Sequence, residues 1–318
     1  MRMLKSIVTV AALLACACAK VPSASSATPA QRPRGERSAL DLTVMTYNIK
    51  HGQGNAACRA ASKPTGTSLA PDCNLNLEGS IAVLRRFAPD IVSLQEVDRF
   101  WSRSREVDQP VAIAKGMGMA HHCFAPNLDH PADAHSPRPH QYGTAIVSRF
   151  PILECANTLL ATFDGWEQRG ALGARIDVNG ATLRVFSTHL QASRSVGGTS
   201  VSGQPQRVQQ VQGILKILSG ITEPIVVMGD FNATPSSIEM SPIAGRLVDA
   251  WTTRGAGHGL TSPADLTRDP GSRIDYIFVS RDVEVTSVSV PVDDQTRMAS
   301  DHYPIIAKIV LPTGRAPR

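Results

Sequence analysis

The feature that most constrains the fold is a short apolar run, residues 225–228, which ends in Gly229 and is followed by Asp230 and Asn232. An apolar run of this length, bounded by turn residues, is typical of a fully buried β-strand. Side chains two residues apart on an extended backbone point to the same side, so the carboxylate and the carboxamide would emerge together. The carboxyl ends of strands are where α/β sheets bind ligands. The run predicts either a functional strand end or an Asx turn that closes the strand, and these residues alone do not separate the two.

Composition permits one large domain or two smaller ones with a sizeable core. The chain has 318 residues, of which 42% are hydrophobic and 19% are charged. A formal net charge of +5 is compatible with an anionic partner such as nucleic acid, a lipid headgroup or a phosphoester. The sequence has no dense Lys/Arg tract and no basic stretch interleaved with aromatic residues, which proteins use to hold single strands.

The amino terminus has the pattern of an export signal. Arg2 and Lys5 precede an apolar run over residues 7–15 that is too short to span a bilayer. The sequence Leu13-Leu14-Ala15-Cys16 resembles a bacterial lipobox, in which Cys16 carries a lipid; an ordinary signal-peptidase site is the alternative. We therefore expect an exported protein, located in the periplasm or cell envelope with or without a lipid anchor, or secreted.

The chain divides into a signal, a linker, one domain and a tail. Residues 1–18 are the predicted signal peptide, and residues 19–39, rich in Ser, Ala and Pro, predict a flexible linker. Strand and helix patterns alternate over residues 40–312, which we interpret as a single domain without short repeats. Residues 313–318 form a tail.

The pattern over residues 40–312 fits two facing sheets with helices outside. The principal predicted strands cover residues 42–49, 90–97, 143–148, 225–228, 274–279, 283–290 and 305–311, and the helices cover 77–87, 111–119 and 206–218. Residues 170–178 and 181–190 predict a hairpin, because Asn179-Gly180 is a strong type I′ turn signal. Residues 121–140, rich in Pro and His, predict a loop.

Four cysteines, Cys58, Cys73, Cys123 and Cys155, lie beyond the signal. An even number in an exported protein favours disulfides, and we prefer Cys58–Cys73, which would close one loop, together with Cys123–Cys155. The alternative is a zinc site, for which the ligand spacing is unfavourable. Its candidate ligands are His121, His122, Cys123, His130, His135 and His140.

Polar side chains recur where the predicted strands end. They are Asn48, Glu96, His189, Asp230, Asn232, Asp275, Asp301 and His302. Each alone also fits a turn or a solvated loop. Together they combine the carboxylate and carboxamide oxygens that a hard divalent cation takes with two histidines suited to proton transfer near neutral pH.

Six segments that carry these residues resemble, in order and spacing, the endonuclease/exonuclease/phosphatase superfamily of metal-dependent phosphoesterases. They are Thr46-Tyr47-Asn48-Ile49, Leu94-Gln95-Glu96-Val97-Asp98, Ser187-Thr188-His189-Leu190, Gly229-Asp230-Phe231-Asn232-Ala233-Thr234-Pro235, Arg273-Ile274-Asp275-Tyr276-Ile277-Phe278 and Ser300-Asp301-His302-Tyr303-Pro304. The resemblance implies an α/β fold, a four-layer sandwich of two mixed β-sheets with helices outside. It also implies dependence on Mg²⁺ or Mn²⁺ and hydrolysis of a phosphoester by in-line attack of water.

The resemblance further implies a role for each residue on the metal and water side. Glu96 is similar to the principal metal ligand, with Asn48 and Asp301 near the same ion. Asp230 is similar to the group that orients or deprotonates the attacking water, and Asn232 to the group that holds the phosphate or that water.

The two histidines receive different roles from the same resemblance. His189 is similar to the histidine that stabilises or protonates the leaving oxygen. His302 is similar to the one that contacts the scissile phosphate, with Asp275 as its orienting carboxylate. Because two histidines flank the expected metal site, we expect phosphodiester rather than phosphomonoester cleavage.

Three further residues, Arg103, Tyr142 and Arg169, lie in segments that resemble a bacterial hydrolase subgroup of the superfamily, and they are candidate substrate-binding residues. A salt bridge for each arginine, or simple packing for Tyr142, is the alternative. The superfamily's abasic-site repair enzymes usually carry an Asn-x-His-x-Pro-type segment at the position of His189, and its absence argues against DNA repair. We expect a monomer acting on nucleic acid or on a lipid headgroup; a non-catalytic binding module is the alternative of a different class.

Overall fold

The computed structural model describes residues 40–54, 75–133, 137–263 and 271–312. These residues belong to one compact unit, Ser38–Arg318. The predicted signal peptide and linker, the tail, the predicted Cys58–Cys73 pair and His135 lie outside the described residues.

Fourteen strands build the described part of the chain. In chain order they are β1 (Asp41–Asn48), β2 (Ile91–Arg99), β3 (His121–His130), β4 (His140–Ser148), β5 (Ile152–Leu159), β6 (Gly170–Val178), β7 (Ala181–His189), β8 (Arg194–Val196), β9 (Thr199–Val201), β10 (Ile225–Asp230), β11 (Val248–Asp249), β12 (Asp275–Val279), β13 (Glu284–Ser289) and β14 (Ile305–Val310). All but two of them form two six-stranded sheets, and β8 pairs only with β9.

Each large sheet has a parallel pair of strands at its centre. The first sheet has the order β13-β14-β1-β2-β4-β3, with β1 parallel to β2 and antiparallel to β14. The second has the order β11-β12-β10-β7-β6-β5, with β10 parallel to β7 and antiparallel to β12. The carboxyl ends of two adjacent strands therefore meet at one edge of each sheet.

Six α-helices accompany the strands in the described residues. They are α1 (Leu77–Phe87), α2 (Gln109–Met117), α3 (Gln204–Leu218), α4 (Met240–Arg246), α5 (Ala250–Arg254) and α6 (Asp294–Ala299). Local sequence sets their limits: the Asn76 side chain caps α1 by accepting from Gly79 N, and α2 ends at Gly118 with φ +66°. None of these described helices is long and apolar enough to cross a membrane.

Three hydrophobic cores separate four layers. The central core lies between the sheets and joins residues of both, such as Val44 and Met228. A second core packs α1 and α2 against the first sheet, and a third packs α3 and α4 against the second sheet. The predicted α/β sandwich of two mixed sheets with helices outside is confirmed.

The hairpin predicted at Asn179-Gly180 is also confirmed. Asn179 has φ +53° and Gly180 φ +93°, the positive values that a type I′ turn requires at both central positions. Gly180 N donates to Asp177 Oδ1 over 2.6 Å and closes the turn. The turn sets the register in which Ala171 of β6 faces Thr188 of β7.

The prediction of a loop over residues 121–140 is wrong, because its first half is strand β3. Cys123, Ala125 and Asn127 are buried while the residues between them are more exposed, which is the alternation of a strand with one face inward. Pro126 is accommodated because β3 is an edge strand and its register with β4 shifts between Pro126 and Leu128.

The predicted Cys123–Cys155 disulfide is confirmed and joins the two sheets. Cys123 lies on β3, at the edge of the first sheet, and Cys155 on β5, at the edge of the second. Their Cα atoms are 6.2 Å apart. Because Cys123 is consumed by this bond, it is not available as a ligand of the alternative zinc site.

Candidate active site

The polar residues predicted from strand ends come together at one edge of the sandwich. Asn48 ends β1, Glu96 lies near the end of β2, His189 ends β7 and Asp230 ends β10. The antiparallel partners begin at the same edge, because β12 starts with Asp275, and Asp301 and His302 lie a few residues before β14. Topology therefore delivers residues from six distant segments to one place.

A bulge in β2 positions Glu96. The register between β2 and β4 shifts between Leu94 and Val97, and Glu96 adopts φ +56° within the shifted segment. A non-glycine residue at positive φ is uncommon, and bulges next to active sites redirect side chains. Because of the bulge, the Glu96 side chain does not follow the regular alternation of side chains along β2.

Asn48 links the carboxylates of the two sheets. Its Nδ2 donates to Glu96 Oε1 over 3.0 Å and to Asp230 Oδ2 over 3.1 Å. Its Oδ1 accepts from Lys50 N over 3.0 Å, which fixes the orientation of the carboxamide. Asn48 therefore presents its nitrogen, rather than its oxygen, to both acidic groups.

Asp230 is a buried carboxylate at the centre of the site. Burial raises its pKa to about 7; Asp275 contributes in the same direction, and His302 opposes it. Asp230 Oδ1 accepts from Asn232 N over 2.8 Å. Asn232 has φ +49°, and its Nδ2 donates to Leu190 O over 3.0 Å, which ties it to the end of β7.

His302 is held as a cation. Its Nδ1 lies 2.8 Å from Asp275 Oδ2, and its Nε2 lies 3.7 Å from Asp230 Oδ2. Burial would lower the pKa of His302, but Asp275 and Asp230 outweigh burial and raise this pKa to about 10. At neutral pH the ring carries a proton on each nitrogen.

His189 has the opposite environment. Its Nε2 lies 3.5 Å from Asp230 Oδ2, but its Nδ1 lies 2.9 Å from Nη1 of Arg169. Burial, and then the positive charges of Arg169 and His302, hold the pKa of His189 well below its ordinary value. Two histidines in different charge states thus flank one carboxylate.

The side of the site around Glu96 and Asp301 offers carboxylate oxygens. Asp301 Oδ2 lies 2.6 Å from Lys50 Nζ, so this carboxylate already holds a positive group. His51 Nδ1 lies 3.8 Å from Glu96 Oε2, and no described residue forms a hydrogen bond with this buried atom. Burial, and then Arg103 and Lys50, lower the pKa of His51 to about 3, so its neutral ring does not compete with a cation. Carboxylate oxygens are the donors that hard cations take.

A second group of atoms could also hold an ion. Ligand atoms of Asp230, Asp275 and His302 lie within 4.8 Å of one another. The hydrogen bond between His302 and Asp275 already uses two of these side chains. We therefore interpret this group as proton-transfer machinery and the Glu96 side as the metal side.

The three candidate substrate-binding residues have different surroundings, and Arg103 is the most exposed of them. Arg103 forms a two-pronged ion pair with buried Asp98, over 2.9 and 2.7 Å, and its guanidinium lies 5.2 Å from the ring of Tyr142. Tyr142 is 7% exposed, so most of its surface packs. Arg169 faces His189 instead of open solvent. The salt-bridge alternative therefore holds for Arg103, whose side chain nevertheless remains 43% exposed. It also holds for Arg169, whose Nη1 lies 2.9 Å from Glu167 Oε1.

A family comparison accords with this geometry. The model of the Endonuclease/Exonuclease/phosphatase family matches residues 45–302. The chain belongs to this family. Members of the endonuclease/exonuclease/phosphatase family are hydrolases that act on phosphoester bonds, so the chain is a phosphoesterase in the general sense.

Solved structures of endonuclease/exonuclease/phosphatase proteins share this fold. One from Bacteroides vulgatus is 22% identical, with a TM-score of 0.63, over 85% of this chain and 99% of that chain. Bacteroides thetaiotaomicron mannosyl-6-phosphatase Bt3783 is 20% identical, with a TM-score of 0.60, over 85% and 100%. A humanized D. rerio TDP2 is 17% identical, with a TM-score of 0.58, over 86% and 99%. Comparison with the curated proteins gave no match.

Three residues of this endonuclease/exonuclease/phosphatase site were not among the sequence candidates. Lys50 and His51 lie two and three residues after Asn48, in a short 3₁₀ turn, and both have positive φ. Their position just beyond the end of β1 is the sequence feature that could have identified them as site residues. Glu167, whose Oε1 lies 2.9 Å from Arg169 Nη1, carried no comparable signal because it lies in a loop.

Proposed function

We propose that this family member is a divalent-metal-dependent phosphodiesterase. The observation that carries the proposal is the placement of two histidines around one carboxylate. The Nε2 atoms of His189 and His302 lie 3.5 and 3.7 Å from Asp230 Oδ2, beside the Glu96 and Asp301 carboxylates. A candidate base, two hydrogen-bond donors and acidic ligands are what hydrolysis of a phosphodiester requires.

The cation we propose is Mg²⁺, with Mn²⁺ as a substitute. Glu96 and Asp301 would hold it, with Asn48 and His51 next to them. Magnesium uses one or two carboxylates and keeps several waters, which matches a site with two carboxylates. When bound, such a cation neutralises charge that develops on the phosphoryl oxygens.

The residues of the chain supply the remaining chemistry. Asp230 accepts a proton from the attacking water while the new P–O bond forms and the bond to the leaving oxygen breaks. Asn232 holds the phosphate or that water, and His302, oriented by Asp275, donates to a phosphate oxygen. His189 faces the leaving oxygen. A carboxylate with pKa about 7 is suited to accept a proton near neutral pH.

The substrates we propose are phosphodiesters of the cell exterior, either nucleic acid or a lipid headgroup. The export pattern of residues 1–18 and the net charge of +5 support a location and an anionic partner of this kind. Lipidation at Cys16 would place the enzyme at the membrane surface. We propose that it acts there, or in the periplasm or medium, as a monomer, with Arg103 and Tyr142 at the entrance.

The general activity is tested with bis(p-nitrophenyl) phosphate in the presence of Mg²⁺, Mn²⁺ or EDTA. We expect turnover with either metal and loss of turnover with EDTA. Asp230→Asn should abolish most activity, whereas Asp282→Asn, an exposed aspartate outside the site, should not. Equal inactivity of the folded protein under all conditions would favour the binding-module alternative.

The bond type and the substrate class need separate comparisons. Faster hydrolysis of p-nitrophenyl phosphate than of the diester would favour a phosphomonoesterase, the class named for the B. thetaiotaomicron structure. Double-stranded DNA, RNA, sphingomyelin and nucleotide monoesters, assayed side by side, then distinguish a nuclease from a headgroup hydrolase.

A further inference from the structure

A buried arginine faces one of the two histidines. Arg169 Nη1 lies 2.9 Å from His189 Nδ1, and the two side chains are only 6% and 5% exposed. An arginine side chain carries N–H donors and no acceptor. His189 Nδ1 must therefore be the acceptor, and the single proton of the neutral ring must lie on Nε2.

We propose that Arg169 is a positioning residue that fixes His189 as the neutral Nε2–H tautomer. His189 then donates a hydrogen bond from Nε2 to the substrate oxygen that it faces, and it keeps its proton. The tautomer stands on the geometry alone, whereas its catalytic consequence rests on the proposed phosphodiesterase function. His189 thus stabilises the leaving oxygen by a hydrogen bond rather than protonating it, and the leaving oxygen takes its proton from solvent water.

His302 has the opposite arrangement, in which Nδ1 faces a hydrogen-bond acceptor. His302 Nδ1 faces a carboxylate, Asp275 Oδ2, at 2.8 Å. A carboxylate accepts a hydrogen bond and favours a proton on Nδ1, whereas a guanidinium donates one and excludes that proton. The same ring type is thus oriented by partners of opposite polarity on the two sides of Asp230.

The chain holds Arg169 firmly in place. Glu167 Oε1 lies 2.9 Å from the same Nη1 atom and balances the buried charge. The backbone oxygen of Arg169 accepts from Leu160 N over 2.9 Å. The β6–β7 register, in which Ala171 pairs with Thr188, brings the residue before β6 beside the end of β7. Register in a hairpin is set by its turn, so the Asn179-Gly180 turn indirectly places the arginine.

The tautomer is tested by NMR on metal-free protein labelled with ¹⁵N-histidine at neutral pH. The His189 resonances are assigned by their loss in His189→Gln. We expect wild-type Nδ1 to show the shift of an unprotonated ring nitrogen, with the proton on Nε2. In Arg169→Met the ring should show mixed tautomers or a protonated Nδ1. A proton on Nδ1 in the wild-type protein, or an unchanged pattern in Arg169→Met, would overturn the proposal.

The catalytic consequence is tested by steady-state kinetics with bis(p-nitrophenyl) phosphate. Partners that orient metal-ligating histidines contribute about 10- to 100-fold. We expect a fall of the same order in kcat for Arg169→Met, with little change in KM. Arg169→Lys, which retains a donor, should recover part of the loss. Arg149→Met removes an arginine from buried Asp90 away from the strand ends that form the site, and it should leave kcat near wild type.

The NMR and kinetic experiments together distinguish failure of the proposed function from failure of the positioning role. An inactive wild-type enzyme whose His189 shows the expected tautomer would contradict the proposed function and leave the positioning role of Arg169 intact. An active enzyme whose His189 carries its proton on Nδ1 would contradict the positioning role of Arg169 and leave the proposed function intact. If Arg169→Met does not fold, the wild-type spectrum and the Arg169→Lys variant still decide the question.

Discussion

Ser93 on β2 and Ser187 on β7 share a hydrogen bond of 2.7 Å between their Oγ atoms, and it crosses from one sheet to the other. Gln95 Nε2 donates to Ser93 Oγ over 2.7 Å, and Thr46 Oγ1 donates to Gln95 Oε1 over 3.2 Å. All four residues are fully buried. The network lies one or two residues from Glu96, His189 and Asn48, so it fixes the spacing between the two halves of the site.

Removing the Ser93–Ser187 hydrogen bond should destabilise the protein, although each substitution deletes only one hydroxyl group. Ser93→Ala and Ser187→Ala each remove the 2.7 Å hydrogen bond from a fully buried network, which costs about 1–3 kcal/mol of unfolding free energy. The double variant should lose less than the sum, because the two single variants each remove the same Ser93–Ser187 hydrogen bond. Urea unfolding measures all three, with exposed Ser195→Ala as the control. Strictly additive losses would show that the two hydroxyls do not interact.

Glu96→Gln should weaken divalent-metal binding while the fold is retained. The substitution keeps the shape of the side chain but removes the charge that attracts the cation. Even partners in the outer shell of a metal site contribute about 10- to 100-fold in affinity, so we expect at least a tenfold loss for Mg²⁺ and Mn²⁺ by calorimetry. Glu284→Gln, exposed on β13, is the matched control. Unchanged affinity in Glu96→Gln would remove this residue from the metal ligands.

The centre of the fold was predictable from sequence, whereas its edges were not. The strand over residues 225–228 is a continuous apolar run because both of its faces are buried, and it appears as β10. The side chains of β5 are mostly exposed, so its sequence carried no clear alternation and it was missed. Strand β3 was read as a loop because Pro126 and its histidines outweighed the burial of every second residue.

The same division applies to the site. Asp230 and His302 were found because topology carries strand-end residues to one edge, and that rule needs only the order of the elements. The side chains that set the charge states of these residues could not be predicted, because their positions do not follow from the spacing of residues in the sequence. Arg169 was considered as a grip for phosphate, yet its Nη1 faces His189 Nδ1 at 2.9 Å. Glu167 acquires its position only once the hairpin register is fixed.

Gly229 should tolerate no side chain, although it lies in a regular strand. It has φ +151°, and a methyl group there would overlap the carbonyl oxygen of Thr188 on β7. Overpacking and backbone strain each cost on the order of 1–3 kcal/mol, so we expect Gly229→Ala to lose at least about 2 kcal/mol of stability. Gly245→Ala is the control, because open space surrounds this glycine in α4 and alanine should stabilise it slightly. Equal effects at the two positions would contradict the close strand approach.

Reduction of the Cys123–Cys155 disulfide should destabilise the sandwich but leave the site assembled. The cysteines are 32 residues apart, and a loop of that length corresponds to about 3–4 kcal/mol of stabilisation in the chain-entropy account. Urea unfolding of the Cys123→Ala/Cys155→Ala variant measures the loss. Thiol titration of the denatured, unreduced mature protein should find no free cysteine other than Cys18, and Cys18 only where cleavage leaves it in the mature protein. Four free thiols would contradict both predicted pairs.

Asp293 should contribute a pH-dependent stability to the segment that leads into the site. It caps α6 by accepting from Thr296 N over 3.0 Å, and this hydrogen bond, with Arg86, holds the pKa of Asp293 below its ordinary value despite partial burial. A lowered folded-state pKa means that the contribution is present above the unfolded pKa of about 3.9 and is lost as pH falls through the folded pKa.

Asp293→Ala should therefore cost about 1 kcal/mol near neutral pH, the usual effect of losing a helix cap, and less in acid. Beyond α6, Ser300 Oγ donates to Asn48 O over 2.7 Å, so the capped helix leads directly into the site. Thermal unfolding at pH 7 and near pH 3 measures the difference, because the lower pH lies below the unfolded pKa, where the charge-dependent contribution of Asp293 is being lost. Asp294→Ala, at the adjacent and 94% exposed position, should change stability by less than about 0.5 kcal/mol at either pH. A wild-type advantage over Asp293→Ala that stays constant with pH would show that the charge of Asp293 has no part in it.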